Sequence, residues 1–220
     1  MVCENPLEEH RQTSSWYFDP SYCGQARVPQ ENIPAASFNE RKFIARRGAM
    51  ELYHGAVVNL GTGIPNDMVG RVCNEEGISD DIMITVESGI YGGVQAGGID
   101  FGIGQNLYAM IGHHEQMDYY NGAGVDITYM GIGELGEDGS VNSTKMGVRC
   151  TGAGGFIDIT QNAKKVVFLG TFTAGGAKYK FENRKLEILQ EGKIRKMVRQ
   201  VAQLSFNGPM ARKKDRKSWL

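Results

Sequence analysis

Cysteine is scarce and scattered: the four residues Cys3, Cys23, Cys73 and Cys150 form no C-x-x-C pair. That spacing offers neither a zinc site nor a disulfide framework. It fits a reducing cytosol or organelle matrix, and the chain is read as cytoplasmic. An excess of charge is also missing, with 24 Lys and Arg against 25 Asp and Glu and a net charge of -1. So balanced a chain carries no electrostatic footprint for nucleic acid or an anionic membrane, and neither is expected as a partner. No apolar run approaches the ~20 residues of a membrane span. No basic-then-apolar signal peptide opens the sequence. His113-His114-Glu115 has the composition of a metal cluster. Adjacent histidines do not share a helix face, however, and no second ligand pair stands at useful spacing, so no metal site is expected.

Glycine is abundant instead, at 30 of 220 residues, roughly twice the ~7% norm. The glycines cluster at the ends of apolar runs, as in Gly61-Thr62-Gly63, Gly97-Gly98, Gly152-Ala153-Gly154-Gly155 and Gly175-Gly176. Such placement implies backbone loops built around a ligand. Hydrophobic and charged fractions of 41% and 22% are ordinary for a globular protein, and the length permits a real core.

Residues 1–37 are polar and aromatic with repeated prolines, a composition suited to an extended linker over a surface. Ser37-Phe38-Asn39-Glu40 is a capping-box pattern, and the helix it opens is expected to run to about His54-Gly55. The run Ala56–Leu60 reads as a strand. Pro65 is placed as the first residue of the next helix, whose Met68, Val69, Val72 and Cys73 share one face. Asp81–Val86 is a second strand, so this β-loop-α-β order implies a parallel pair. Further strands fall at Val125–Met130 and Val166–Leu169, with a hairpin from Tyr179 to Leu189 turning at Asn183-Arg184. The domain is read as 38–207, followed by a basic tail, 208–220, expected to be solvated.

Glu87 stands where the second strand gives way to Ser88-Gly89-Ile90-Tyr91-Gly92-Gly93. A carboxylate there is held by the sheet and faces the crevice at the carboxyl ends of the strands, where open α/β sheets bind ligands. Asn59, at the end of the neighbouring strand, should lie beside it. Gly154-Gly155 offers backbone N–H groups to an anionic oxygen, so the set fits acyl transfer. The G-x-G-x-x-G match at Gly131–Gly136 is followed by the turn signal Glu137-Asp138-Gly139-Ser140. A dinucleotide site needs a helix at that point.

Taken together, Asn59–Pro65, Glu87–Gly93 and Gly152–Phe156 resemble the C-terminal (β) half of family I coenzyme A transferases, nearest to the propionate/acetate CoA-transferase branch. The likeness runs from about Tyr17 to about Phe206 and includes Asp19-Pro20, Gly139–Gly147 and Phe168–Gly176. It implies an open, mostly parallel α/β sheet of the CoA-transferase type with β-rich additions. It also implies a ping-pong acyl-CoA:carboxylate CoA transfer. In it Glu87 is the nucleophile, Asn59 an oxyanion donor, and Gly154, Gly155 and Phe156 the acyl and coenzyme A end of the site. No tightly bound cofactor is implied; acyl-CoA and a short-chain carboxylate are substrates. An α-type CoA-transferase domain or subunit and a homo-oligomer are the implied partners. Lys145, Lys164, Lys165 and Lys178 are candidates to meet the phosphates of coenzyme A. The chain opens in what resembles the linker between halves and stops before the family's last strands. It is therefore expected to be a fragment, a chain working with a separate α-like subunit, or an inactive relic. Two other readings stay open: a non-catalytic acyl-CoA or subunit-binding module, and a sugar-phosphate isomerase or effector-binding domain of similar architecture.

Overall fold

The computed structural model describes residues 11–15, 17–183 and 185–214, and the backbone of 217–219. Residues 1–10 of the expected linker, Arg184 of the hairpin turn and Asp215-Arg216 of the basic run lie outside the described residues. The main sheet is made, in chain order, of β1 (Val57–Leu60), β2 (Met83–Val86), β3 (Ile90–Tyr91), β4 (Ala109–Met110), β5 (Ile127–Gly131), β6 (Lys165–Leu169) and β7 (Lys217–Trp219). Its spatial order is β7-β6-β5-β1-β2-β3-β4. The strands from β7 through β2 are mutually parallel, whereas β3 turns back antiparallel to β2 and β4 in turn pairs antiparallel with β3 at the edge.

Five α-helices accompany it among the described residues: α1 (Glu40–Ala49), α2 (Gly70–Glu75), which continues a π-helical turn at Pro65–Val69, α3 (His113–Asn121), α4 (Phe156–Asn162) and α5 (Gly208–Lys213). The pleat sends alternate side chains to opposite faces. On one face Val58, Leu60, Ile84, Ile127, Tyr129, Val167 and Leu169 pack against Ala45 and Ala49 of α1 and Val72 and Cys73 of α2. On the other, Met130, Val166 and Phe168 pack against Tyr120 of α3 and Phe156 and Ile159 of α4. The resulting α/β/α sandwich is the expected fold class. Its β-rich additions are a small sheet of Glu134–Gly136, Val141–Asn142 and Met197–Val198, and the hairpin Lys178–Glu182/Lys185–Gln190. Gly131 leads into the first of these strands and not into a helix, so the G-x-G-x-x-G match has no helix N-terminus behind it.

Three local expectations need correction. The cap of α1 is Asn39, whose side chain accepts a hydrogen bond from Lys42 N at 3.1 Å, not Ser37. That helix also stops at Ala49, because Glu51 and Leu52 bond back to the i−3 carbonyls of Gly48 and Ala49, tightening the last turn into an exit. The basic run is not simply solvated. Asn207 caps α5 by accepting from Met210 N at 2.9 Å, Ala211 is buried against the α4 side of the core, and β7 pairs with β6. Charge composition alone hid the cap and the single apolar contact.

Candidate active site

The site begins with three polar residues in three otherwise apolar strands. Register places Asn59 of β1 beside Thr85 of β2 on one flank and beside Thr128 of β5 on the other. All three are 0% exposed, so each polar atom needs a partner. Proton accounting fixes how they bond. Thr85 Oγ1 donates to the Val58 carbonyl at 2.9 Å, which uses its one hydrogen. In the 2.8 Å contact between Thr85 Oγ1 and the Tyr120 hydroxyl, the phenol is therefore the donor. Asn59 Nδ2 then donates to Tyr120 at 3.1 Å, and Thr128 Oγ1 donates to Asn59 Oδ1 at 2.7 Å. The chain of bonds runs one way, from Thr128 to a backbone carbonyl. It holds the amide with a second N–H of Nδ2 left for Glu87. Burial pushes the Tyr120 phenol up, which keeps it the protonated donor this order requires.

Glu87 follows Val86 directly, at the carboxyl end of β2. Gly89, with φ of 103° and its own N–H bonded to Val86 O at 3.0 Å, closes the turn that swings the chain back into β3. Burial pushes the Glu87 carboxyl from its ordinary 4.5 up to about 7, against its own backbone N–H, the Asn59 amide and the charge of His113, all of which favour the anion. Oε2 is buried without a hydrogen-bond partner among the described residues. His113 Nδ1 lies 2.7 Å from the Glu87 backbone oxygen, and a carbonyl only accepts, so Nδ1 carries the proton. The expected glycine pair arrives from the opposite side. A Cβ on Gly155 would stand 3.4 Å from Glu87 Cγ and 3.1 Å from Ile159 Cδ1, so this loop lies directly against the Glu87 side chain. Phe156 N–H is bonded to Ala153 O at 3.0 Å, which removes it as a donor for a ligand.

These groups meet in a cleft of about 720 Å³ lined by Gly61–Ile64, Glu87, Gly131–Gly133 and Thr151–Phe156, within the ~300–1,000 Å³ range of small-molecule sites. Glu87, Gly154, Gly155 and Phe156 are thus brought together as expected from sequence. Asn59 lies behind Glu87 and not on the cleft wall. The four lysine candidates are a correction: none lines the cleft. Lys164 is paired with Asp126 at 2.6 Å and Lys165 with Glu51 at 2.6 Å, both at the opposite, amino-terminal ends of the strands. The cations on the cleft are Arg41, Arg149 and Lys196. Sequence reasoning also missed Thr85, Thr128, Tyr120 and His113. Thr85 had a readable signal, since it is the lone polar residue of an apolar strand, as Asn59 is.

No protein-family model matches the chain. It is 40% identical over 205 residues to caffeate CoA-transferase of Acetobacterium woodii, covering 91% of this chain and 39% of that protein. It is 42% identical over 173 residues to acetate CoA-transferase YdiF of Escherichia coli K12, covering 79% and 32%. The structure superposes on the apoenzyme of the acyl-CoA transferase YdiF from E. coli O157:H7 with a TM-score of 0.79 at 35% identity, over 90% of this chain and 36% of that one. The chain is similar to CoA-transferases over most of its length, and a β-type chain of family I fits. A thioester complex of YdiF with CoA gives a TM-score of 0.77 at 35% identity, covering 92% of this chain and 39% of that one. The chain spans well under half the length of these relatives. A variant of the decarboxylase AibA/AibB shares the fold alone, at a TM-score of 0.54 and 15% identity over 79% of this chain and 69% of that one.

Proposed function

We propose that the chain carries the nucleophilic half of an acyl-CoA:carboxylate CoA-transferase, and the observation that carries this reading is Glu87. It is a carboxylate at a strand end, raised by burial, with one oxygen unpartnered among the described residues, and the residue lines a glycine-built cleft. Glu87 Oε attacks the acyl-CoA carbonyl, and the C–S bond breaks to give an acyl-glutamyl anhydride and the thiolate. The thiolate attacks the Glu87 side-chain carbonyl and expels the first carboxylate, leaving a glutamyl-CoA thioester. An acceptor carboxylate then reverses both steps and restores Glu87. No redox change or net proton transfer is required.

The two sets of donors divide the work. Asn59 lies behind Glu87, so its free N–H serves the oxyanion that forms on the Glu87 carbonyl itself. Gly154 and Gly155 face the cleft and serve the oxyanion on the acyl group. Each such donor contributes roughly 3–4 kcal/mol to the transition state. Removing water from Glu87 raises its reactivity, at a cost met by binding the remote parts of the coenzyme. An α-type domain or subunit that covers the cleft, a homo-oligomeric assembly and short-chain carboxylates as acceptors belong to the same proposal.

The test is covalent trapping. With an α-type half supplied, incubation with acyl-CoA followed by borohydride or hydroxylamine should mark Glu87, as read by peptide mass spectrometry. A preparation that transfers CoA yet is marked elsewhere would overturn the assignment.

A further inference from the structure

Several lysines and arginines near the core of this molecule are matched to carboxylates: Arg41 to Asp67, Lys42 to Glu75, Lys164 to Asp126 and Lys165 to Glu51. Lys196 differs. It lines the same cleft as Glu87, it is half-buried, and its ammonium has no ion pair or hydrogen bond to any described residue. Burial pushes its pKa down with no carboxylate to offset it. Its backbone is pinned on both sides, N–H to Phe172 O at 3.0 Å and C=O to Leu135 N at 2.8 Å, so the side chain starts from a fixed point. Nζ reaches to 3.8 Å from where a Cβ of Gly170 would stand.

Gly170 follows β6 as Glu87 follows β2, and β5 and β1 lie between those strands. Three strand spacings, with an offset of two residues along the strands from the registers, put Lys196 about 15 Å from Glu87. That separation decides what the lysine can meet. A short carboxylic acid reacting at Glu87 cannot reach it. The pantetheine arm has the length of four or five extended residues, about 15 Å, and ends in a diphosphate. We infer that Lys196 is a binding residue for the diphosphate of the coenzyme, holding the far end of the arm while the thioester lies at Glu87. This rests on the proposed function and names the coenzyme's second anchoring point on this chain.

The experiment is calorimetric titration of the 220-residue chain with the α-type half supplied, unchanged and as Lys196→Met and Lys196→Arg, with CoA, 3′-dephospho-CoA and pantetheine. A charge-assisted contact to phosphate predicts that Lys196→Met weakens CoA and 3′-dephospho-CoA by about tenfold or more. Pantetheine should stay within about twofold, and Lys196→Arg should recover most of the loss. Lys196→Met should melt no lower than the parent, since it removes an unpaired half-buried charge; that checks that the variant is folded. In parallel, Lys196 in the unchanged chain should be protected from an amine-acylating reagent by CoA but not by pantetheine. Equal CoA binding by Lys196→Met, equal loss of pantetheine, or an effect confined to CoA and absent with 3′-dephospho-CoA would each overturn the diphosphate assignment. If the unchanged chain binds CoA normally in those cases, the proposed function survives. If it binds no CoA at all, both fall.

Discussion

At the scale of residues, the site depends on how an amide and a carboxylate are held together. Glu87 carries a folded-state pKa raised from 4.5 to about 7 by burial, so the folded chain keeps its proton where the unfolded chain has lost it. That stability is fully present below pH 4.5 and disappears as pH rises through about 7. The gap corresponds to about 3 kcal/mol. Glu87→Gln, neutral throughout, should match the parent below pH 4.5 and exceed it by up to about 3 kcal/mol above pH 7.5 in denaturant titrations. Unchanged relative stability across that range would show that the carboxyl is solvated. The same substitution should abolish transfer, because an amide is a far poorer nucleophile. Asn59→Ala should lower kcat by about 100-fold or more while KM changes by no more than a few-fold. A rise confined to KM would mean that Asn59 only positions the substrate.

At the scale of elements, the turn between β2 and β3 and the loop before α4 do different things with glycine. A Cβ on Gly89 would lie 2.0 Å from the Ile111 carbonyl oxygen, at a φ of 103°. Backbone cannot yield there, so Gly89→Ala should destabilise the fold by about 3 kcal/mol or more, seen as a lower melting temperature and loss of soluble chain. Gly155→Ala meets only side-chain atoms, Ile159 Cδ1 at 3.1 Å and Glu87 Cγ at 3.4 Å. These can shift by a few tenths of an ångström. That variant should keep most of its stability, within about 1 kcal/mol, and lose activity because the added methyl narrows the cleft beside Glu87. Melting and transfer measured on both variants separate the two cases, and equal stability losses would contradict the distinction.

At the scale of the whole molecule, the sheet is closed on one side by a segment whose composition conceals its packing. Removing residues 208–220 takes away the α5 contact through Ala211, the Arg212 bond to the Asp138 carbonyl at 2.8 Å and the β7 pairing along β6. The shortened chain should lose about 2 kcal/mol or more of stability and expose the flank of β6 to self-association. Chemical denaturation with light scattering reads both, and an unaltered midpoint would mean that this segment is not held in solution.

Sequence alone determined the parallel β1–β2 pair, the strand-end position of Glu87, the glycine pair opposite it and the family likeness. The first three follow from local physics, since β-branched runs make strands and glycines mark where backbone must turn or come close; the likeness rests on the motifs themselves. Tertiary structure decided what depends on register and on distant partners. Asn59, Thr85 and Thr128 are separated by 26 and 43 residues along the chain, and only the pairing of three strands sets them in one row under Tyr120. Two of the four candidate lysines, Lys164 and Lys165, are drawn to carboxylates at the far ends of the strands. Lys196, in a segment with no motif, is carried onto the cleft. Charge is visible in a sequence. Its counter-ion is a matter of folding.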